Sequence, residues 1–275
     1  MTPKIVRDVH MAINLAHRFV YFVPEAAKEC ATLGIGARGG YFGIRVAPLG
    51  AASNEVIVAT FYNFSPRAVA AAMPGVWETT TPEALQAARF CIVGNALSRI
   101  EVAMSDAEIA EARAIIDPVV AGLDLAGKPL AAGNAAIELP DDPLVALWQQ
   151  ITVVREWRGD AHIAVLGFNE VGPCDCNVLQ VGSGRAPMSL AATRQWSEEE
   201  WSAAIARLAG LGWVEADGRL TDAGAAARDQ IELDTDRLCT PIWNVVGDTG
   251  AARFNELISP IHDAMAAAGT YTALV

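Results

Sequence analysis

Two of the four histidines keep company that could do acid–base chemistry. His17 lies in LAHRFVYFVPE, where Tyr21 and Glu25 follow at intervals of four, so one helix would carry all three on a single face if it continued through Pro24. His162 lies in VVREWRGDAHIAVL, where Arg155, Arg158, Asp160 and His162 crowd what reads as a corner between two helices. An imidazole oriented by a carboxylate and flanked by guanidinium groups is the makings of a general acid or base near neutral pH. The candidates for such a site are His17, Arg158, Asp160 and His162. The simpler reading is that Arg158 and Asp160 close the corner as a buried pair and that His162 is a core histidine.

A second group suits binding better than catalysis. Tyr41 and Arg45 in GYFGIRVAPLG, and Tyr62 and Asn63 in ATFYNFSP, place a few polar groups among aromatic residues. With Tyr21 they make the expected ligand-binding set, because pockets are mostly apolar with a small number of placed polar groups. No metal is expected. Cys30, Cys91, Cys174, Cys176 and Cys239 are odd in number and scattered, and PCDCNVL has neither the C-x-x-C spacing nor the second ligand pair of a zinc site. No dinucleotide fingerprint, phosphate-binding P-loop, HExxH or GxSxG stands in the chain. GIGARGG at 34–40 reads as a loop after a helix, with no strand before it. These motifs being missing, the sequence names no particular cofactor.

The elements that must position these residues read as mainly helical. Ser65-Pro66, Thr81-Pro82-Glu83 and Ser105-Asp106 each set a capping side chain ahead of a proline or an acid, and each is followed by apolar residues at helical spacing. NEVIVATFYNF is β-branched and aromatic enough for a strand, yet Ser53 could equally cap a helix there. PLVALWQQITVVREW predicts a helix, and Asp160 a cap for another through HIAVLGFNEVG. A turn-rich passage near IELPDDPLVALW suggests two domains, 1–140 and 141–275. Residues 1–140 carry 11 Lys and Arg against 13 Asp and Glu, whereas 141–275 carry 9 against 19, so most of the net charge of −12 falls in the second part. No apolar run is long enough to span a membrane and the N-terminus has no secretory pattern, which together suggest a cytoplasmic protein.

From residue 196 the chain runs WSEEEWSAAIARLAGLGWVEADGRLTDAGAAARDQI. Ser197 predicts a helix start, Gly212 its end, Asp217-Gly218 a hairpin turn and Thr221 the start of a long helix. The elements LAGLGWVE and GRLTDAG resemble the MarR-like winged helix, with a recognition helix, a two-stranded wing and a following helix. More broadly, HRFVYFVPE, GYFGIRVAPLG, ATFYNFSP and WRGDAHIA resemble an actinobacterial group with a helical N-terminal region and a degenerate, acidic winged helix. That resemblance implies a fold more than an activity; the expected partners are a small molecule and a second copy of the chain.

Charge bears on the usual partner of such a fold. Duplex binding depends on neutralising phosphates, yet 197–231 holds seven acidic residues against three basic ones. Arg194, Arg207 and Arg219 are the candidate DNA contacts, and Glu198, Glu199 and Glu200 stand where phosphates would approach. The sequence therefore suggests a small-molecule-binding protein of MarR-like winged-helix type, in the manner of a ligand-responsive transcriptional regulator but with charge opposing direct DNA contact. The alternative is an enzyme or cofactor-binding protein that reuses the winged helix as scaffold around His17, Arg158, Asp160 and His162.

Overall fold

Local capping chemistry sets most helix starts. In the computed structural model, which describes residues 1–73 and 75–271, Thr81 Oγ1 accepts from the Ala84 amide and opens the helix Pro82–Arg99. Ser105 and Glu108 form a reciprocal capping box at the head of Asp106–Ala121. The ambiguous NEVIVATFYNF is a helix, Asn54–Phe61, because Ser53 Oγ accepts from the Val56 amide. Capping satisfies a donor there that a strand would have to pair elsewhere. Asp142 Oδ1 accepts from the Leu144 and Val145 amides and starts Pro143–Phe168.

Several expectations need correction. Pro143–Phe168 runs unbroken for 26 residues, so Asp160 is interior to it and caps no helix of its own stretch. Glycine at 159 is the only break signal near it, and one glycine costs a helix only about 1 kcal/mol, too little to end it. GIGARGG is a turn only at its start; Ala37–Val46 is helical, with Gly39 and Gly40 buried in its first turn. His17 ends the helix Pro3–His17, a 3₁₀ turn follows over Arg18–Tyr21, and Pro24 opens the next helix, Pro24–Thr32, with Val23 extended. The proline cannot donate to the preceding turn, so Glu25 leaves the face shared by His17 and Tyr21 and pairs with Arg99 at 2.5 Å. Among the described residues there is no β-strand. The wing is a single antiparallel bridge between Val214 and Leu220.

The chain forms two compact units: Met1–Ala52 with Met73–Asp160 and Asp236–Val275, and Ser53–Ala72 with Ala161–Thr235. Residue 140, the expected division, lies inside the 73–160 stretch of the first unit, between the helices Pro129–Ala135 and Pro143–Phe168. In the first unit, Pro3–His17 packs along the C-terminal helix Gly247–Ala267, and Trp148, Trp243, Phe19, Phe42 and Phe254 are fully buried. In the second unit, the end of Pro143–Phe168 and the helices Asp175–Gly182, Glu198–Gly210 and Asp222–Trp243 contribute Leu166, Val178, Leu179, Leu208 and Ile231 to one apolar cluster.

The wing and the LTDAG turn owe their form to a close backbone approach. Thr221 donates its amide to the Trp213 carbonyl at 3.0 Å, and its hydroxyl oxygen accepts from the Gly224 amide at 3.0 Å. A Cβ on Gly224 would lie 1.9 Å from that same carbonyl oxygen, so only glycine fits there.

Candidate functional site

The break after His17 aligns a polar cluster inside the first unit. Tyr21 sits one tight turn below His17, its hydroxyl 3.2 Å from Nε2. On the other side of the imidazole, Nδ1 is 3.0 Å from Thr152 Oγ1, and Thr152 donates its hydroxyl proton to the Trp148 carbonyl at 2.9 Å. The Trp148 ring stacks on His17 with centroids 5.2 Å apart. Ala37–Val46 brings in Tyr41 and Arg45 at i, i+4: Arg45 donates to the Tyr41 oxygen at 3.1 Å, and the Tyr41 ring meets Tyr21 edge-on at 5.0 Å. Thus His17, Tyr21, Tyr41 and Arg45 share one site.

Charge in this cluster is cationic. Glu156 is buried and meets Arg155 at 2.7 Å and Arg45 at 3.8 Å. Arg89, only 2% exposed, has neutral partners instead, the Asn134 and Gln149 side-chain oxygens at 3.0 and 2.9 Å. Burial, with further help from Arg155, Arg45 and Arg89, pulls the His17 pKa well below its ordinary value, so the imidazole is neutral at pH 7. Burial also pushes the Tyr21 phenol up to about 12, against the opposing pull of Arg45. Burial lowers Arg89 to about 10, since taking a guanidinium out of water disfavours its charge.

Beside the cluster lies a cavity of about 220 Å³. Its wall is apolar, from Val20, Val23, Cys30 and Ile44, and its polar side chains are those of Tyr21 and Tyr41. Such a shape admits a small molecule and holds few groups with which to bond it.

The other sequence candidates occupy separate settings. Asp160 accepts from the Leu130 and Ala131 amides at 3.1 and 3.0 Å, capping Pro129–Ala135 from a distance in sequence. Burial raises its carboxyl to about 6 despite those two hydrogen bonds. Arg158 pairs with Asp236 at 3.0 Å, and Arg7 pairs with the same fully buried carboxylate at 2.6 Å. His162 belongs to the second unit, where Nδ1 lies 2.9 Å from Thr235 Oγ1. Tyr62 and Asn63 also belong there. The Tyr62 hydroxyl donates to the Val171 carbonyl at 2.6 Å, and the Asn63 carbonyl accepts from Asn177 and Trp196. Arg89, Thr152 and Glu156 had no motif to mark them. Only a charged or polar residue set among buried apolar helix positions, as Arg89 is between Leu85 and Ile92, could have pointed to them.

In the second unit Ser197 caps Glu198–Gly210 by a capping box with Glu200. Ala204 and Leu208 face the core, and the exposed side carries Glu198, Glu199, Ser202, Ala203, Ala206, Arg207 and Ala209. Side chains suited to base edges are Arg, Lys, Asn and Gln, and the helix contains one of these, Arg207. Arg207 pairs with the buried Asp175 at 2.5 Å. Arg219 pairs with Asp217 at 2.7 Å across the wing turn, and the Arg194 guanidinium lies over the Phe64 ring at 4.1 Å. The start of the helix is covered by the Asn63–Arg67 segment. Arg67 bonds the Glu200 carboxylate and the Gln195 carbonyl, Ser65 donates its amide to the Arg194 carbonyl, and Trp196 donates to Asn63. Twelve acidic residues against six basic ones make the whole unit anionic, the wrong sign for a phosphate backbone.

These features define a helical protein with a helix-turn-helix unit. A family model described as "Helix-turn-helix family" matches residues 6–272, and the chain belongs to that family. No curated protein matches the chain. No solved structure matches it. Among the described residues, no helix is long and apolar enough to cross a membrane, and no group of three or more potential ligands could hold a metal ion.

Proposed function

We propose that this member of the helix-turn-helix family binds a small molecule in the cavity beside Tyr21 and Tyr41, and that its helix-turn-helix unit is a scaffold and not a DNA reader. The observation that carries the first part is the junction of an apolar cavity with the His17–Tyr21–Tyr41–Arg45 cluster. Buried polar groups held in fixed orientation beside an apolar space are what ligand recognition requires. The second part rests on the Glu, Ser and Ala side chains that make up most of the exposed face of the Glu198–Gly210 helix, on the pairing of its exposed Arg207 with Asp175, and on Arg67 bound at its start. Within the family we place the second unit with the MarR-like winged helices, on LAGLGWVE and GRLTDAG, and read the Val214–Leu220 bridge as a reduced wing.

Saturation-transfer NMR with phenol, indole and cyclohexanol as probes tests the cavity. Signal transfer to at least one probe is expected in the full chain, and its loss in Ala27→Phe, whose new ring would fill the cavity while leaving helical circular dichroism intact. Transfer that survives in Ala27→Phe would remove the cavity from the account. Mobility-shift titration against the DNA upstream of the coding sequence, at low salt, tests the scaffold. Sequence-specific retardation abolished by Arg219→Ala would show a DNA reader and end that reading.

A further inference from the structure

The proton positions around His17 determine which kind of ligand the cavity prefers. Resting on the ligand-binding reading above, we infer that the cavity selects a small neutral molecule carrying a hydroxyl or N–H donor, with the Tyr21 oxygen as acceptor, because Thr152 fixes the tautomer of His17.

Two proton arrangements are open to this chain of groups. In the first, Thr152 donates to the Trp148 carbonyl, 2.9 Å away, and must then accept from His17 Nδ1–H at 3.0 Å. The imidazole then has its lone pair on Nε2, and Tyr21 donates to it across 3.2 Å. All three contacts are hydrogen bonds. In the second, Thr152 donates to Nδ1 and Nε2–H donates to Tyr21, which gives two hydrogen bonds and leaves the Tyr21 proton with no acceptor described. The first arrangement satisfies one more hydrogen bond within the protein, so it prevails. A neutral imidazole is needed for either, and burial supplies it.

The consequence reaches the cavity through Tyr21, which both ends the relay and lines the space. With its proton committed to His17, the Tyr21 oxygen offers lone pairs only. A ligand hydroxyl or N–H complements it, whereas a ketone or carboxylate oxygen meets like partial charge. An ammonium group, although a donor, would enter the field of Arg45 and Arg155, which the single carboxylate of Glu156 offsets only in part. Apolar walls from Val20, Val23 and Ile44 then suit a hydrocarbon body of modest size. The preferred class is thus a small alcohol, phenol or neutral N–H compound.

Cyclohexanol and cyclohexanone, nearly equal in shape, separate donor from acceptor. Calorimetry on the full chain should show cyclohexanol bound about tenfold more tightly than cyclohexanone, the worth of one net hydrogen bond. Tyr21→Phe should bring the two to equal affinity. Thr152→Val, which keeps the side-chain shape, removes the partner of Nδ1–H, lets the imidazole carry its proton on Nε2 and turns the Tyr21 proton outward; the preference should move toward cyclohexanone. Nitrogen-15 NMR of His17 should show the proton on Nδ1 in the wild type and on Nε2 in Thr152→Val. Equal binding of the two probes by the wild type, an unchanged preference in Thr152→Val, or an Nε2–H imidazole in the wild type overturns the inference while leaving the cavity reading in place. Absence of binding for every probe overturns both.

Discussion

The two units carry the same net charge and place it differently. In the first, Arg45 and Arg155 share one buried carboxylate, Glu156, and Arg89 is buried against the neutral Asn134 and Gln149. Carboxylates outnumber basic side chains by six in each unit, 20 against 14 in the first and 12 against six in the second, but in the second Glu198 and Glu199 are exposed at a helix start and Arg67 is fixed against Glu200. A net charge of −12 describes neither interior. Local field at a site depends on the few charges within several ångströms, since solvent screens the rest. An anionic protein can therefore hold a cationic cluster beside a cavity, and a helix-turn-helix can lie in a region whose charge repels phosphate.

The contrast can be broken most severely at Glu156. Glu156→Gln leaves Arg45 and Arg155 without their shared carboxylate, and breaking a buried pair in this way should destabilise the first unit by about 3–5 kcal/mol. Urea denaturation measures it, and a loss under about 1 kcal/mol would mean that the cations need no buried counter-charge. In the second unit the equivalent weak point is backbone packing and not charge. Gly224→Ala sets a methyl against the Trp213 carbonyl oxygen and should cost about 3 kcal/mol by the same measurement. A near-neutral result would show that the wing yields readily.

Asp160 sharpens the first half of the comparison through pH. Its folded pKa of about 6 lies above the ordinary 3.8, so folding favours the protonated form. Its stabilising contribution is complete below the unfolded pKa and is lost as pH rises through 6. Measured against Asp160→Asn, whose amide oxygen can still accept from Leu130 and Ala131, the wild type should lose about 2 kcal/mol between pH 4 and pH 7, a figure reduced for partial solvent screening. A constant difference between the two proteins over that range would contradict the shift. Smallest is the capping effect: Ser197→Ala removes the acceptor for the Glu200 amide and should lower the stability of the second unit by about 1 kcal/mol. Thermal denaturation followed at 222 nm is the readout, with no change counting against the capping box.

Much of the fold was legible where local chemistry decides it. Ser65, Thr81, Ser105 and Ser197 each mark a helix start, because a capping oxygen satisfies an amide of its own first turn and needs no distant partner. The Asp-Gly turn and LTDAG were readable for the same reason. The continuity of Pro143–Phe168 through Asp160 was not, because the carboxylate finds its partners at Leu130 and Ala131, some thirty residues back. Of the expected binding residues, Tyr21, Tyr41 and Arg45 come together while Tyr62 and Asn63 serve the other unit. Their sequence contexts are alike, and aromatic composition does not say which core a side chain enters.

By itself the sequence determined the helical class, the helix-turn-helix pattern and the acidity of its second part, since periodicity, capping and formal charge are properties of short stretches. Tertiary structure alone decided that residues 53–72 fold with 161–235, that Arg67 meets Glu200, and that Arg89 and Glu156 come near His17 and Tyr21, the last of which lines the cavity. Those choices are made by burial and long-range pairing, whose energies exist only once distant parts of the chain have excluded water together.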